Sequence, residues 1–345
     1  MKRWATALVG ALLTILVALA IWRQPGAHHV QGARYLHASA SVMATRIEVL
    51  VPRSAAHWAP AEVFRIFREV DARMSEWKPT SPLSAVNAAA GRRPVAVPAD
   101  LRALLRRAVA FGNASHGAFD VTWAALWGLW RFTGPKASLR VPPAPEIAAR
   151  RALVDYRALR IDDTRGTAYL PREGMKLGLG AIAKGHALAL AAAALRARGL
   201  RSFLLSAGGQ TYAAGLREGR PWRVGVRDPR GAPDAIIAQL PLEDASAATS
   251  GDYERYFERD GVRYHHILDP RTGSPARGLR SVTVIDADPV RADAMSTAIF
   301  VLGVERGLAL ARRTPGLEAL LVDDKGVVHR TAGLAVLSLR ARARR

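Results

Sequence analysis

TSGDYERYFERDGVRYHHILDPRTG, residues Thr249–Gly273, is the stretch on which the reading of this chain turns. Ser250-Gly251-Asp252 opens it, and the run Tyr253-Glu254-Arg255-Tyr256-Phe257 follows. Asp260-Gly261 then reverses the chain into Val262-Arg263-Tyr264-His265-His266-Ile267-Leu268. A second turn, Asp269-Pro270-Arg271-Thr272-Gly273, closes the stretch. Two aromatic and β-branched runs joined by Asp-Gly predict a β-hairpin, because the left-handed backbone of a two-residue turn suits Asp and Gly. The paired imidazoles end one arm at a sheet edge, beside a Pro/Gly turn. Imidazole titrates nearest neutrality, so this is a place for a proton-transfer group. The same residues equally fit a solvated hairpin whose histidines carry no chemistry.

Outward from the hairpin, the 345 residues suffice for one large domain or two small ones, and half of them are hydrophobic. With no cysteine there is no disulfide, thiolate metal site, cysteine nucleophile or lipid-modified cysteine anchor. The formal net charge is +21. The excess is mostly arginine spread along the chain, and its one tight cluster is Arg340 to Arg345. That pattern argues for a positive field that attracts polyanionic small molecules rather than for a nucleic-acid groove.

Lys2-Arg3 precede an apolar run from Ala5 to Ile21, closed by Trp22-Arg23. As a helix the run would span roughly 26 Å at about 1.5 Å per residue, slightly short of a bilayer core. Residues 1–23 therefore read as a signal peptide, with Ala18-Leu19-Ala20 as a cleavage site, or as an N-terminal membrane anchor with interfacial Trp4 and Trp22. Either way the basic end stays cytoplasmic and the rest is exported. Residues 24–35 read as a linker.

Further along, alternation predicts a strand over Ser41–Val51. Apolar spacing predicts a helix over Pro60–Met74, and a short helical turn follows within Ser81–Asn87. Asp100 is expected to cap a helix to about Ser115. Trp123, Trp127 and Trp130 recur at helical spacing and predict a core helix. A loop is expected over Pro135–Pro145 and short strands up to Met175. A glycine-rich turn then enters an Ala/Leu helix ending near Arg198. Strands are expected over Ser202–Ser206, Trp222–Val226, Ala235–Leu240 and Leu279–Asp286. A helix over Ala292–Leu302, another helix and two short strands end the domain near His329. Strands and helices mix without strict βαβ alternation, so the class is α+β.

Three constellations bear on chemistry. The turn Gly178 to Gly185 leads into a helix N-terminus whose free N–H groups favour anions, with Lys184 in its first turn; close strand–helix packing would use the same glycines. Asp293 and Thr297 share a helix face, and two oxygen donors suit a hard divalent cation such as Mg²⁺; an ordinary cap or first-turn carboxylate would look alike. In Gly117-Ala118-Phe119-Asp120, the ring would stack on a planar ligand and the acid would accept from ring N–H or ribose hydroxyls, or Phe119 would simply be core. There is no HExxH metal site, no GxSxG elbow and no complete GxGxxG.

Taken in order, Met43-Ala44-Thr45, Ser75 to Asn87, Gly117 to Asp120, Leu179 to Gly185, Ala207-Gly208-Gly209, Ala248 to Tyr253, His266 to Gly273 and Ala292 to Thr297 resemble one family closely, the ApbE-like FAD:protein FMN transferases. The resemblance covers roughly residues 36–330 and implies a single catalytic domain of mixed sheets and helices, with 331–345 as a basic tail. It implies FAD as substrate, Mg²⁺, transfer of FMN to a threonine hydroxyl of an acceptor protein with release of AMP, and a place on the periplasmic face of the inner membrane. The acceptor would be a redox-complex subunit or an exported reductase. By the same resemblance His266 is the base that takes the acceptor's proton, and an imidazole near its ordinary pKa would suit it. The Ala181 carbonyl with Asp293 and Thr297 would hold the metal, with Ser296 beside them. Met43, Trp77, Ala118, Phe119, Asp120, Lys184 and Ile267 would contact the cofactor. The chain departs from the family pattern at Ala44, Gly178, Ala181 and Ala189, and it lacks the acids usual at 178 and 189. These departures keep two alternatives open, an FAD pyrophosphatase and a non-catalytic FAD-binding protein.

Overall fold

The computed structural model describes residues 34–132, 134–135 and 139–339. The expected N-terminal helix, the linker up to residue 33 and the arginine cluster at 340–345 lie outside these residues. In chain order the elements are strands β1 (Tyr35–Val42) and β2 (Thr45–Pro52), helices α1 (Ala59–Met74) and α2 (Pro82–Ala88), β3 (Val95–Ala96), α3 (Ala99–Ala114), α4 (Ala144–Arg151), β4 (Arg160–Asp162), β5 (Thr167–Tyr169) and α5 (Ala183–Ala197). Strands β6 (Phe203–Ala207), β7 (Gln210–Ala214), β8 (Trp222–Arg227), β9 (Ile236–Leu242), β10 (Ala245–Gly251), β11 (Tyr256–Arg259), β12 (Val262–His265), β13 (Leu268–Asp269), β14 (Ser274–Pro275) and β15 (Leu279–Asp286) follow. Helix α6 (Pro289–Arg313), β16 (Glu318–Asp323), β17 (Val328–Arg330) and β18 (Ser338–Leu339) complete the fold.

The frame is an eight-stranded antiparallel sheet in the order β1-β2-β6-β7-β10-β15-β16-β17. Its interior strand β15 is buried along nearly its whole length because both faces are covered. Helix α6 packs on β10 and β15, α5 lies against α6, and α1 lies against α5. Phe67, Leu188, Leu195, Ile299 and Phe300 fill this layer. Each such side chain removed from water contributes about 1.5–3 kcal/mol before the entropy of ordering it. The three-stranded sheet β8-β9-β18 covers part of the other face, where Val226, Leu240 and Leu334 meet Leu320 and Val322. This is the α+β class expected of the sequence.

The Asp-Gly hairpin forms as β11 and β12, with both turn residues left-handed (Asp260 φ 51°, Gly261 φ 72°). The single strand expected over 41–51 is instead a second hairpin, β1–β2. It reverses at Met43 and Ala44, which hold φ of 54° and 53° without a glycine. Asp100 lies inside the first turn of α3, whose cap position is Pro98, and its carboxylate pairs with Arg73 at 2.9 Å. The tryptophan stretch forms only a 3-10 turn over Ala124–Leu126 and not a helix. The two C-terminal helices are one element broken at Gly303, whose φ of 78° is open to glycine and costly for other residues. Residues 331–339, grouped with the tail by sequence, contribute buried Thr331 and Leu334 and the strand β18 paired to β9.

Candidate active site

The glycine-rich turn before α5 is fixed from every side. The Asn87 side chain donates to the Leu177 carbonyl at 2.9 Å and accepts from the Leu177 N–H at 2.7 Å. Gly178 N–H donates to the Val121 carbonyl at 2.8 Å, and Trp123 Nε1 donates to the Gly178 carbonyl at 3.1 Å. A β-carbon on Gly178 would lie 3.0 Å from the Trp123 ring and the Ala124 methyl, so the tryptophan stands where a side chain at 178 would.

The N-terminus of α5 then meets α6 at a seam. A β-carbon on Gly185 would come within 2.3 Å of the Pro289 carbonyl, so only glycine permits this approach. Asp293, 5 % exposed, accepts the Gly185 N–H at 3.0 Å through Oδ2. Its Oδ1 lies 3.3 Å from Lys184 Nζ, and that ammonium also donates to the Gly180 carbonyl at 2.8 Å. One turn on, Ser296 Oγ donates to the Asp293 carbonyl at 2.8 Å. Ser250 Oγ from β10 lies 2.9 Å from Ser296 Oγ and 3.3 Å from Thr297 Oγ1. Asp293, Thr297 and the turn carrying Gly180 and Ala181 therefore form one oxygen-rich corner that already holds a cation, the Lys184 ammonium. A donor set made only of oxygens fits a hard divalent ion. Among the described residues no cluster of three His, Cys, Asp or Glu accompanies it.

Of the histidine pair, His266 lies within reach of the Lys184 charge. Asp252 pins the start of the hairpin through a bidentate pair with Arg230 (2.7 and 2.6 Å). His265 is buried; its Nε2 bonds the Ala276 carbonyl at 2.9 Å and its ring meets Phe300 edge-on. His266 is fixed by its main chain, whose N–H donates to the Arg255 carbonyl at 3.0 Å. Its Nδ1 is buried without a protein partner. Burial pushes both imidazoles down to about 4, and for His266 the positive charges of Arg255 and Lys184 add to the effect. Two expectations change here. His265 is buried and His266 half-buried with its Nδ1 out of water, and His266 is not near its ordinary pKa. It is instead held neutral, with a free lone pair or N–H, across the neutral range.

The remaining candidates divide sharply. Trp77 is 69 % exposed and stacks on Trp127 at 4.1 Å, with Trp123 edge-on behind Trp127 at 6.0 Å. The expected core tryptophans Trp123 and Trp127 are thus the backing of an open aromatic shelf, while Trp130 is buried and donates to the Gly273 carbonyl. Phe119, 3 % exposed, packs edge-on against Phe111, so its ring is core and not a stacking surface. The Asp120 oxygens are taken by Thr122 N–H, Thr122 Oγ1 and Tyr156 N–H, and burial raises its pKa. Ala118 is buried as well, so side chains from this segment have no surface to offer a ligand. Met43 sits on the left-handed β1–β2 turn, and Ile267 is buried between His265 and Ala276. Ala189 lies half-buried on α5.

Sequence reasoning missed Asn87 as the clamp of the glycine turn and Glu76 as its neighbour. Glu76 Oε1 lies 3.7 Å from the β-carbon position of Gly180, its carboxylate is met by the Leu179 N–H, and burial raises its pKa. Both residues lie in the Ser75 to Asn87 segment that carries the resemblance, and that was the signal available for them.

The ApbE family model matches residues 43–321. The chain is 40 % identical over 306 residues to a FAD:protein FMN transferase of Treponema pallidum, covering 84 % of each chain. In structure it is similar to the ApbE protein of Thermotoga maritima (TM-score 0.79, 35 % identity), covering 86 % of this chain and 97 % of that one. It is also similar to the flavinyl transferase ApbE of Pseudomonas stutzeri in its apo form (TM-score 0.77, 35 % identity), covering 86 % and 95 %.

Proposed function

The chain belongs to the ApbE family, and from that premise we propose that it is an FAD:protein FMN transferase whose acceptor is a threonine hydroxyl of another protein. The observation that supports the reading is a half-buried His266, its Nδ1 without a protein partner and its imidazole within reach of the Lys184 charge, beside the Lys184–Asp293–Thr297 corner. The acceptor oxygen attacks the FMN-side phosphorus of the FAD pyrophosphate. A new P–O ester bond forms, the pyrophosphate P–O bond breaks, and AMP leaves with the electron pair. His266 takes the hydroxyl proton; with a pKa near 4 it is a weak but always available base above pH 5. Lys184 and the N–H groups at the start of α5 face the charge that builds on the phosphoryl oxygens. Asp293, Thr297 and the Ala181 carbonyl would hold Mg²⁺, which when bound supplies charge neutralisation at the phosphates. Trp77, backed by Trp127, offers its open face to a planar ring of FAD.

Catalysis outside the cytoplasm, with residues 1–23 as signal or anchor, belongs to the same proposal. It rests on the apolar run after Lys2-Arg3.

The test is intact-mass measurement of a threonine-bearing acceptor domain incubated with the purified chain, FAD and Mg²⁺. A gain of one FMN residue, lost on His266→Ala and on Asp293→Ala, is the expected result. FMN and AMP free in solution with no gain would make the chain a pyrophosphatase. Intact FAD, with an acceptor that another transferase does modify, would leave a binding protein.

A further inference from the structure

Three hydroxyls behind Asp293 form a chain, and the chain has a direction. A hydroxyl has one hydrogen to give and two lone pairs with which to receive. Ser296 Oγ, on a residue 1 % exposed, spends its hydrogen on the Asp293 carbonyl at 2.8 Å, since a carbonyl only accepts. Its contact with Ser250 Oγ at 2.9 Å is then filled by the Ser250 hydrogen. With that hydrogen committed, Ser250 Oγ meets Thr297 Oγ1 at 3.3 Å as the acceptor. The Thr297 hydrogen therefore points at β10, and the lone pairs of its oxygen are left for another partner. A helical threonine more often turns its hydroxyl to the carbonyl one turn back, here that of Asp293. Ser296 already donates to that carbonyl, and Ser250 supplies the alternative. The strand end of the chain is fixed as well: Ser250 stands opposite Val282 of β15, and next to it Thr249 Oγ1 lies 2.8 Å from Thr283 Oγ1.

A cation takes lone pairs and repels a hydroxyl hydrogen, so a threonine ligates a hard divalent ion only with its hydrogen turned away. We propose that Ser250 is a positioning residue for Thr297: as the middle of the relay Ser296–Ser250–Thr297 it draws the threonine hydrogen to β10 and holds Oγ1 as an acceptor toward a divalent cation. The relay starts on the carbonyl of Asp293 itself, so the carboxylate residue and the hydroxyl of the corner are set together. The inference rests on the cation position proposed at Ala181, Asp293 and Thr297. It gives a role to a strand residue that touches no charge and that only the meeting of β10 with α6 brings to the corner.

The experiment reads cation binding alone, without FAD or turnover. Mn²⁺ is titrated into the purified full-length chain and free Mn²⁺ is followed by electron paramagnetic resonance. Ser250→Ala is expected to weaken Mn²⁺ binding about 10- to 100-fold, the range typical of groups that orient a metal ligand from behind. Ser250→Thr keeps the hydroxyl and is expected to bind as wild type does. Thr297→Val removes the ligand and weakens binding by itself, and Ser250→Ala added to it should change nothing further. Wild-type binding in Ser250→Ala overturns the proposal. So does its full loss in the Thr297→Val background, because Ser250 would then act on the cation or the fold directly. A loss in Ser250→Thr as large as in Ser250→Ala also overturns it, because side-chain fit and not the hydroxyl would then matter. Unchanged binding in Thr297→Val takes Thr297 from the cation and overturns the relay alone. Unchanged binding in Asp293→Asn as well would remove the cation position itself, and the role of Ser250 with it.

Discussion

The two walls of the site differ in how their polar atoms are paired. On the α5–α6 seam, Asp293, Lys184, Ser296, Ser250 and Thr297 all have protein partners within 3.3 Å. On the hairpin wall, His266 keeps a buried Nδ1 with no protein partner. Paired atoms fix geometry, and a buried orphan costs stability and persists where it is used. The seam is built to place charge, and the hairpin keeps a side-chain atom without a protein partner, as His186 Nε2, Gln210 Oε1 and Ser281 Oγ are elsewhere among the described residues.

The comparison can be broken by substitution. Asp293→Ala takes an acceptor from Gly185 and a partner from Lys184, and the transfer rate measured by acceptor mass should fall by about 10³-fold or more. His266→Ala should lower the rate by about 10²- to 10³-fold while leaving the melting temperature equal or higher, because it deletes an unsatisfied buried group. If both variants lose stability and activity together, the two walls do not differ in kind. Gly185→Ala drives a methyl into the Pro289 carbonyl and should destabilise the fold by about 1–3 kcal/mol in denaturant titration. The same alanine at Gly261, where nothing approaches the added carbon, strains only the turn and should cost about 1 kcal/mol.

Acidity sharpens the contrast further. Both imidazoles are pushed down to about 4 by burial, so between pH 6.5 and 4 the unfolded chain binds protons that the folded chain refuses. Stability should therefore fall with pH through that window and owe nothing to these groups above it. Single-turnover transfer should hold nearly level from pH 7.5 to 5.5, and an acid limb centred near 6.5 would show His266 open to water. The smallest effect is expected at the other hairpin. Ala44→Gly relieves one left-handed non-glycine residue and should stabilise the fold by up to about 1 kcal/mol by thermal unfolding.

That last position also marks where the sequence stops being legible. Asp260-Gly261 announces its turn chemically, whereas Met43-Ala44 makes a turn of the same hand with residues that disfavour it. The surrounding sheet holds them there, because β1 and β2 pair without a slip from Tyr35 to Pro52. Helix α1 and strand β15 were readable from periodicity, and the match of β15 to Leu279–Asp286 is complete. Strands β7 and β10 were not, since Gln210–Ala214 is mostly buried and Ala245–Gly251 is built of small residues, so neither alternates. The tryptophan spacing misled because Gly128 adopts a left-handed φ of 76° and the stretch turns outward to meet Trp77. Of the site, the motif residues near the seam could be found one by one in the sequence. The partners that hold them could not, because Asn87 reaches Leu177 and Gly185 reaches Asp293 across about 100 residues of chain.

The indole shelf has an optical consequence. Trp77, Trp127 and Trp123 stand ring to ring at 4.1 and 6.0 Å, and the outermost is mostly in solvent. Isoalloxazine absorbs where indole emits, so a flavin resting on Trp77 would drain excitation from the whole trio. Flavin bound on that shelf would be read by the chain's own fluorescence, and Trp77→Phe would weaken both the quenching and the stacking of the flavin ring.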